Sequence, residues 1–410
     1  MATDLHLLSP RGFRAGAASA GIKSRRGALD VGLLVCDAPD GAIAAAVFTT
    51  NKVVSPGVTV GREHLRLMSG RLRGVVVNSG NANACTGKQG ERDARRMCSV
   101  AASQVKCNAK TILPSSTGII GHLLPMPKLE RGIRAAAVDL GSDRAHAMRF
   151  ADAILTTDLV RKTAATRVKL STGSVTIAGV CKGSGMIGPR LAIQPPHATM
   201  LAYLTTDVRV SFAHLKSFLR GAADKSFNAV TVDDHSSTND TCAILASGMS
   251  GVAVESPRDI ERFSSALDEV CQSLAYQIAA DGEGATKVVR IDVTGAKTSA
   301  DAATIARSIA NSPLVKCAMH GNDPNWGRIV SAAGMCGVPF DANRATLTLQ
   351  GTRVFQRGGP VKFDAGKTSR AMRAKEVVAA LSCNLGKGDA TVWTCDLSRE
   401  YVRINADYHT

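Results

Sequence analysis

The segment KGSGMIGPRLAIQPPHATMLAYLTTD, Lys182 to Asp207, sets a lysine among three glycines (Gly183, Gly185, Gly188) and runs on through Pro-Pro-His to a lone threonine. Upstream, SVTIAGVC (174–181) has the composition of a strand and feeds directly into the Gly-rich stretch. Downstream, an apolar run follows Thr199. Either Thr199 is an ordinary strand residue after a loop, or the loop exists to bring chemistry to its hydroxyl.

Outward from this segment, short runs of Val, Ile and Ala alternate with amphipathic stretches, a pattern that predicts a layered α/β fold. VGLLVC (31–36), IAAAVFTT (43–50) and GVVVN (74–78) read as strands. Residues 90–107 and 126–140 have helical spacing, as do 211–227, 256–284 and 299–312. Ser211 is placed to cap one of these helices, and TKVVRIDVTG (286–295) alternates at the period of a strand. Gly and Pro are spread evenly, so no linker divides the chain by composition.

The totals exclude several classes. No run of about 18 apolar residues occurs, so no membrane span is expected. The first thirty residues lack the apolar centre of a secretory signal, and Asp4, Asp30 and the early strand at Val31 argue against a cleaved leader. Eleven cysteines, none in a Cys-x-x-Cys pair and three (Cys36, Cys181, Cys271) in apolar surroundings, point to a reducing compartment and a cytoplasmic location. The nine histidines show no metalloprotease spacing, so no metal site is expected. The charge is lopsided: residues 1–198 carry 27 basic against 12 acidic side chains, a net +15, while 199–410 carry 23 against 22. The basic residues are dispersed and lack interleaved aromatics, which favours a solvated surface or anionic small molecules over nucleic acid.

Four polar loops concentrate hydrogen-bonding residues: NSGNANACTG (78–87), PSSTGIIG (114–121), the opening segment, and GNDPNWGRI (321–329). Each reads equally as a structural turn or cap. AGKTS (365–369) fails as a phosphate loop because Val361 stands where the first glycine belongs, and no Gly-x-Ser-x-Gly elbow occurs. A threonine hydroxyl needs a base within reach to act as a nucleophile. Cutting the chain before Thr199 would supply one, since a free α-amine titrates near pH 7.7–8.0.

With these residues assembled, the whole chain resembles the bifunctional ornithine acetyltransferases, also called glutamate N-acetyltransferases, of arginine biosynthesis. The matching motifs are NSGNANACTG, PSSTGIIG, LTTD (155–158), KGSGMI (182–187), ATMLAYLTTD (198–207), TVDDHSSTNDT (231–241), DGEGATK (281–287), GNDPNWGRI and the terminal YVRINADYHT (401–410). The resemblance implies a layered sandwich of helices and mixed sheets. It implies a precursor cut between Ala198 and Thr199 into an α chain (1–198) and a β chain (199–410), which pair into a heterotetramer. By the same resemblance Thr199 is the nucleophile, and Thr117 and Gly118 form the oxyanion hole. Thr157, Lys182, Thr199, Glu283, Asn405 and Thr410 bind substrate.

The reaction implied is acetyl transfer from N-acetylornithine to glutamate through acetyl-Thr199, with no cofactor and with acetyl-CoA as a possible second donor. A self-cleaving amide hydrolase or aminopeptidase of similar architecture is the alternative, and a basic binding protein is a more remote one. Two features depart from the family pattern. Eight residues, Arg190 to His197, separate Pro189 from Ala198 where relatives have two, and Asp234-His235 replaces Gly-Asp. The terminal segment alternates apolar and polar residues, and so reads as a strand.

Overall fold

The computed structural model describes residues 4–188 and 200–407. Thr199, Ala198 and Thr410, three of the residues expected at the site, therefore lie outside the described residues.

Two sheets lie face to face. The first has strand order Phe13–Ala18, Val31–Cys36, Gly74–Asn81, Ile112–Ile119, antiparallel except for the last pair, which is parallel. The second runs Arg71–Leu72, Ala42–Phe48, Thr241–Ala246, Leu201–Thr206, Gly173–Lys182, Lys162–Leu170. Strand periodicity assigns the faces. In the first sheet Leu34, Val75 and Val77 join Tyr203, Ala243 and Leu245 of the second in one core, with Phe150 set edge-on to Tyr203. Their strand neighbours Leu33, Val35 and Val76 point the other way, onto helices Gly87–Val105 and Met126–Val138. On the far face of the second sheet Ile177, Ala202, Leu204 and Ile244 pack against helices Phe212–Asp224 and Pro257–Ala280.

The result is a helix–sheet–sheet–helix sandwich. A slip of one residue in any central strand would exchange its two buried faces, so the register is strongly specified. Each fully buried Val, Leu or Ile contributes about 1.5–3 kcal/mol. A third sheet, ordered Gly359–Pro360, Thr352–Gln356, Thr346–Leu349, Glu376–Ser382, Val288–Ala296, Gly388–Cys395, has its own core with helices Ser299–Asn311, Pro313–His320 and Trp326–Gly334. Trp326, in the GNDPNWGRI motif, stacks on Phe355 there, with centroids 5.3 Å apart. That motif is thus a helix start with a packing role.

The layered α/β expectation and the strands at 31–36, 43–50, 74–78 and 174–181 are borne out. So are the five helices, Ser211 capping one by accepting from the His214 N–H at 3.2 Å. Two expectations are corrected. PSSTGIIG is not a loop after a short strand: Pro114 to Ile119 are the strand itself, held by parallel pairing to Val76–Asn81. The terminal segment is a helix, Arg399–Asp407, not a strand. Its apolar residues fit either period over so short a run. The helix wins because Tyr401 and Asn405, one turn apart, both face inward, and Arg403 pairs with Glu400 and Asp407 on the outer side.

Candidate active site

Thr117 and Gly118 sit near the end of the last strand of the first sheet, where a register shift disturbs the pairing with Gly80 and Asn81. Gly118 has φ +130°, a region L side chains rarely adopt. A Cβ there would stand 2.4 Å from the Gly80 carbonyl carbon and 2.5 Å from the Asn81 nitrogen. Both contacts are to backbone, so no side chain fits. The turn beside it is wired by its asparagines: Asn78 Nδ2 donates to Asn81 O at 2.8 Å, and Ser116 Oγ donates to Asn78 Oδ1 at 2.7 Å. Asn239 Nδ2 donates to Ser116 O at 2.9 Å and to Ser55 Oγ at 3.1 Å. A strand end fixed this firmly can hold a hydroxyl and an N–H still while charge develops on a substrate oxygen.

Lys182 ends the strand Gly173–Lys182 and is almost wholly buried. Its Nζ lies 3.8 Å from Asp158 Oδ2, while Lys162 Nζ lies 2.7 Å from Asp158 Oδ1 and 2.5 Å from Asp281 Oδ2. Two ammoniums and two carboxylates thus share one buried pocket. Burial opposes the charge on Asp158, but the fields of Lys182 and Lys162 and the Gly183 N–H, at 2.6 Å, win and hold its pKa at about 2. Burial likewise opposes the charge on Lys162, and its two acidic partners more than offset it, so its pKa is raised. Asp158 Oδ2 also accepts from the Thr156 N–H at 3.1 Å, fixing the turn that presents Thr157.

The loop after Lys182 carries the arrangement across to Glu283. The Glu283 N–H donates to Ser184 O at 3.1 Å, and Ser184 Oγ donates to Asp281 O at 2.6 Å. Glu283 lies over Gly185: a Cβ on that glycine would be 2.3 Å from the carboxylate carbon. Asn405 Nδ2 donates to Glu283 Oε2 at 3.0 Å. Asp233 anchors the loop from the other side, accepting from the Met186 and Ile187 N–H groups at 2.8 Å each, with Tyr401 Oη at 3.3 Å. Asp234, one of the two departures from the family pattern, has φ +55°, which glycine adopts freely and aspartate tolerates.

Of the expected residues, the structure thus joins Lys182 to the Thr157–Asp158 turn and Glu283 to Asn405, with residues 183–185 as the bridge. Thr157 and Gly118 line one cavity of about 860 Å³. Another cavity, of about 660 Å³ between Pro39, Arg209 and Glu255, contains none of them. Sequence reasoning missed Asp158, Lys162 and Asp281, although Asp158 and Asp281 stand inside the quoted motifs LTTD and DGEGATK. It also missed Asp240, a fully buried acid at the entry of strand Thr241–Ala246. Burial drives its pKa well above the ordinary carboxylate value against the field of Lys182.

A model of the ArgJ family matches residues 14–410. The chain belongs to the ArgJ family. The arginine biosynthesis bifunctional protein ArgJ of Dehalococcoides mccartyi is 43% identical over 414 residues, covering 99% of this chain and 98% of its own. Two solved structures are similar. ArgJ from Bacillus halodurans is 36% identical over 50% of this chain and 97% of its own, with a TM-score of 0.48. Ornithine acetyltransferase from Mycobacterium tuberculosis, solved with ornithine, is 36% identical over 46% of this chain and 97% of its own, with a TM-score of 0.43. ArgJ membership makes this chain an enzyme of arginine biosynthesis and carries the sequence resemblance over its full length.

Proposed function

We propose that this ArgJ member transfers an acetyl group from N-acetylornithine to glutamate, with Thr199 as the relay. The observation that carries the reading is the run of contacts from the Thr157–Asp158 turn through buried Lys182 and Glu283 to Asn405 on the exposed terminal helix. It sets a cation for an amino-acid carboxylate near an anion for the ornithine side-chain amine.

Thr199 first becomes a chain terminus. Its hydroxyl attacks the Ala198 carbonyl, the peptide nitrogen leaves as the α-amine, and water releases Ala198 from the ester. In turnover that amine takes the proton from Oγ as Oγ adds to the acetyl carbonyl carbon. The tetrahedral oxyanion is received by the Thr117 hydroxyl and the Gly118 N–H. Collapse breaks the C–N bond, and ornithine leaves with the proton. Glutamate's neutral amine then attacks the acetyl ester, passes its proton to the Thr199 oxygen, and departs as N-acetylglutamate. The route uses only the chain's own groups, so neither a metal nor an organic cofactor is required. Acetyl-CoA fits the same ester step as an alternative donor.

Residues 1–198 and 199–410 would remain associated, and two such pairs would form a heterotetramer in the cytoplasm. Among the described residues no helix is long and apolar enough to cross a membrane. The test is intact mass spectrometry with an acetyl-transfer assay on the wild type and on Thr199→Ala. Two chains, the second beginning Thr-Met-Leu-Ala, and loss of both cutting and transfer in the variant are expected. A fully active uncut chain would overturn the mechanism. The family match over the full chain sets aside the amide-hydrolase reading. Water would have to outcompete glutamate for the acetyl ester, and acetate release without N-acetylglutamate would reveal it.

A further inference from the structure

We propose that Lys23 receives the side-chain carboxylate of the glutamate acceptor, making a cationic subsite that the ornithine half-reaction does not use. The inference rests on the acetyl-transfer reading above. The two substrates pose a problem that the site must solve, because one ends in an ammonium and the other in a carboxylate. Glu283, braced by Asn405, suits the first and would repel the second. A separate cation is needed.

The geometry points to Lys23. Its backbone is pinned by Asp30, whose carboxylate accepts from the Ala20 and Ile22 N–H groups at 2.6 Å each and from that of Lys23 at 3.2 Å. The stem crosses Gly80: a Cβ on that glycine would stand 3.2 Å from both Lys23 Cγ and its nitrogen. Gly80 in turn abuts Gly118, so Lys23 borders the strand end expected to hold the oxyanion. Together with Gly118, Thr157 and Asp158, Lys23 lines the 860 Å³ cavity. Its Nζ donates to two carbonyls, Leu29 O at 2.6 Å and Asp152 O at 3.4 Å. An ammonium has three protons, and no carboxylate pairs with this one among the described residues.

The charges around the cavity confirm the imbalance. Asp152 is taken by Arg161 through two bonds of 2.5 and 2.8 Å, and Asp158 is taken by Lys162 and Lys182. Lys23, Arg25 and Arg26 line the same cavity and have no acidic partner among the described residues. A half-buried cation without a counter-ion is costly, and burial pulls the Lys23 pKa down to about 8 against the fields of Asp30 and Asp158. A bound carboxylate would remove that cost.

The test compares two acceptors that share an α-amine and an α-carboxylate and differ in side-chain charge. Wild type, Lys23→Met and Lys23→Arg, each checked for equal processing and melting temperature, are assayed with N-acetylornithine and either glutamate or labelled ornithine, and with acetyl-CoA as donor to glutamate. Loss of a charge-assisted bond predicts a glutamate KM raised roughly 10- to 100-fold in Lys23→Met. Ornithine exchange should stay within twofold, and Lys23→Arg should recover most of the loss.

In the wild type the ratio of glutamate to ornithine KM should rise as pH climbs through about 8, where Lys23 loses its charge. The charged groups that act on its ammonium are Asp30, Asp158, Lys182 and Asp152, and Arg25, Arg26 and Arg161 line the same cavity. Equal losses with both acceptors would make Lys23 a scaffold residue. A KM change confined to acetyl-CoA would assign the cluster to the donor's phosphates. Either result, or an unchanged glutamate KM in a variant that still transfers acetyl groups, overturns the assignment alone. A wild type that transfers to neither acceptor overturns the reaction and the assignment together.

Discussion

Replacing Asp158 by asparagine keeps the shape of the side chain and removes one of four buried charges. What remains is Lys162 and Lys182 with Asp281, which pairs with Lys162. At an effective dielectric of about 20, the lost attractions at 2.7 and 3.8 Å amount to roughly 6 and 4 kcal/mol. Relief of the buried carboxylate's own desolvation returns much of this, and removing one partner of a buried ion pair typically costs about 3–5 kcal/mol net. The depressed pKa, which reflects the same contacts, gives a figure of the same order. A carboxyl held at about 2 against its ordinary 3.8 corresponds to about 2 kcal/mol of stability.

The sign follows from the depressed pKa. The contribution is fully present above about pH 4 and is lost as pH falls through about 2. Urea unfolding followed by circular dichroism, carried out in the uncut Thr199→Ala background so that folded and unfolded states belong to one chain, should therefore show Asp158→Asn destabilised by about 2–5 kcal/mol at pH 7. The gap from the parent should close on acidification, as the parent's own carboxyl protonates. A variant within about 0.5 kcal/mol of the parent at pH 7, the ordinary scatter of surface substitutions, would refute the buried network. So would a gap that acid leaves unchanged.

Thr117→Ala should slow acetyl transfer by about 2.7–4 kcal/mol of barrier at nearly constant KM, and a kcat within twofold of the parent would remove Thr117 from the oxyanion hole. Gly185→Ala should leave the melting temperature close to the parent's, because the atoms nearest the new Cβ are the movable end of Glu283, yet should raise the KM for N-acetylornithine; an unchanged KM would show that the Glu283 carboxylate need not stay in place. Gly118→Ala should be the more damaging alanine, since its Cβ meets backbone at 2.4–2.8 Å, and soluble, fully active protein would argue against the close approach. Asn405→Ala should raise the KM for N-acetylornithine in a protein that is still cut, whereas parental kinetics would leave the terminal helix a purely structural element.

The layers were legible in the sequence because their strands obey a period of two on both faces, as Leu33 and Leu34 illustrate by entering different cores. Motifs placed Lys182, Thr157, Glu283 and Asn405, and the structure joins them pairwise. Asp158, Lys162 and Asp281 escaped because their meaning lies in a contact across 119 residues. Asp158 and Lys162 look on paper like any surface ion pair. Lys23 was hidden among Arg11, Arg14, Arg25 and Arg26, where composition suggested a solvated surface. The terminal helix was misread because a segment of that length satisfies two periods at once, and its contacts with Asp233 and Glu283, far away in sequence, select between them.

The second sheet interleaves the two sides of the expected cut. Ala42–Phe48 pairs with Thr241–Ala246, which pairs with Leu201–Thr206, which pairs with Gly173–Lys182. Two strands that follow Thr199 are thus clasped between two that precede it. An uncut chain assembles this weave as a single molecule, at a rate independent of concentration. Once the bond before Thr199 is gone, the same weave can be regained only by collision of two separate chains, each with an open sheet edge exposed to misassociation. If the proposed cut takes place, the precursor would act as its own template for a topology that its products cannot easily rebuild. On the proposed cut, the mature enzyme would be held in place by the height of its unfolding barrier more than by ready refolding.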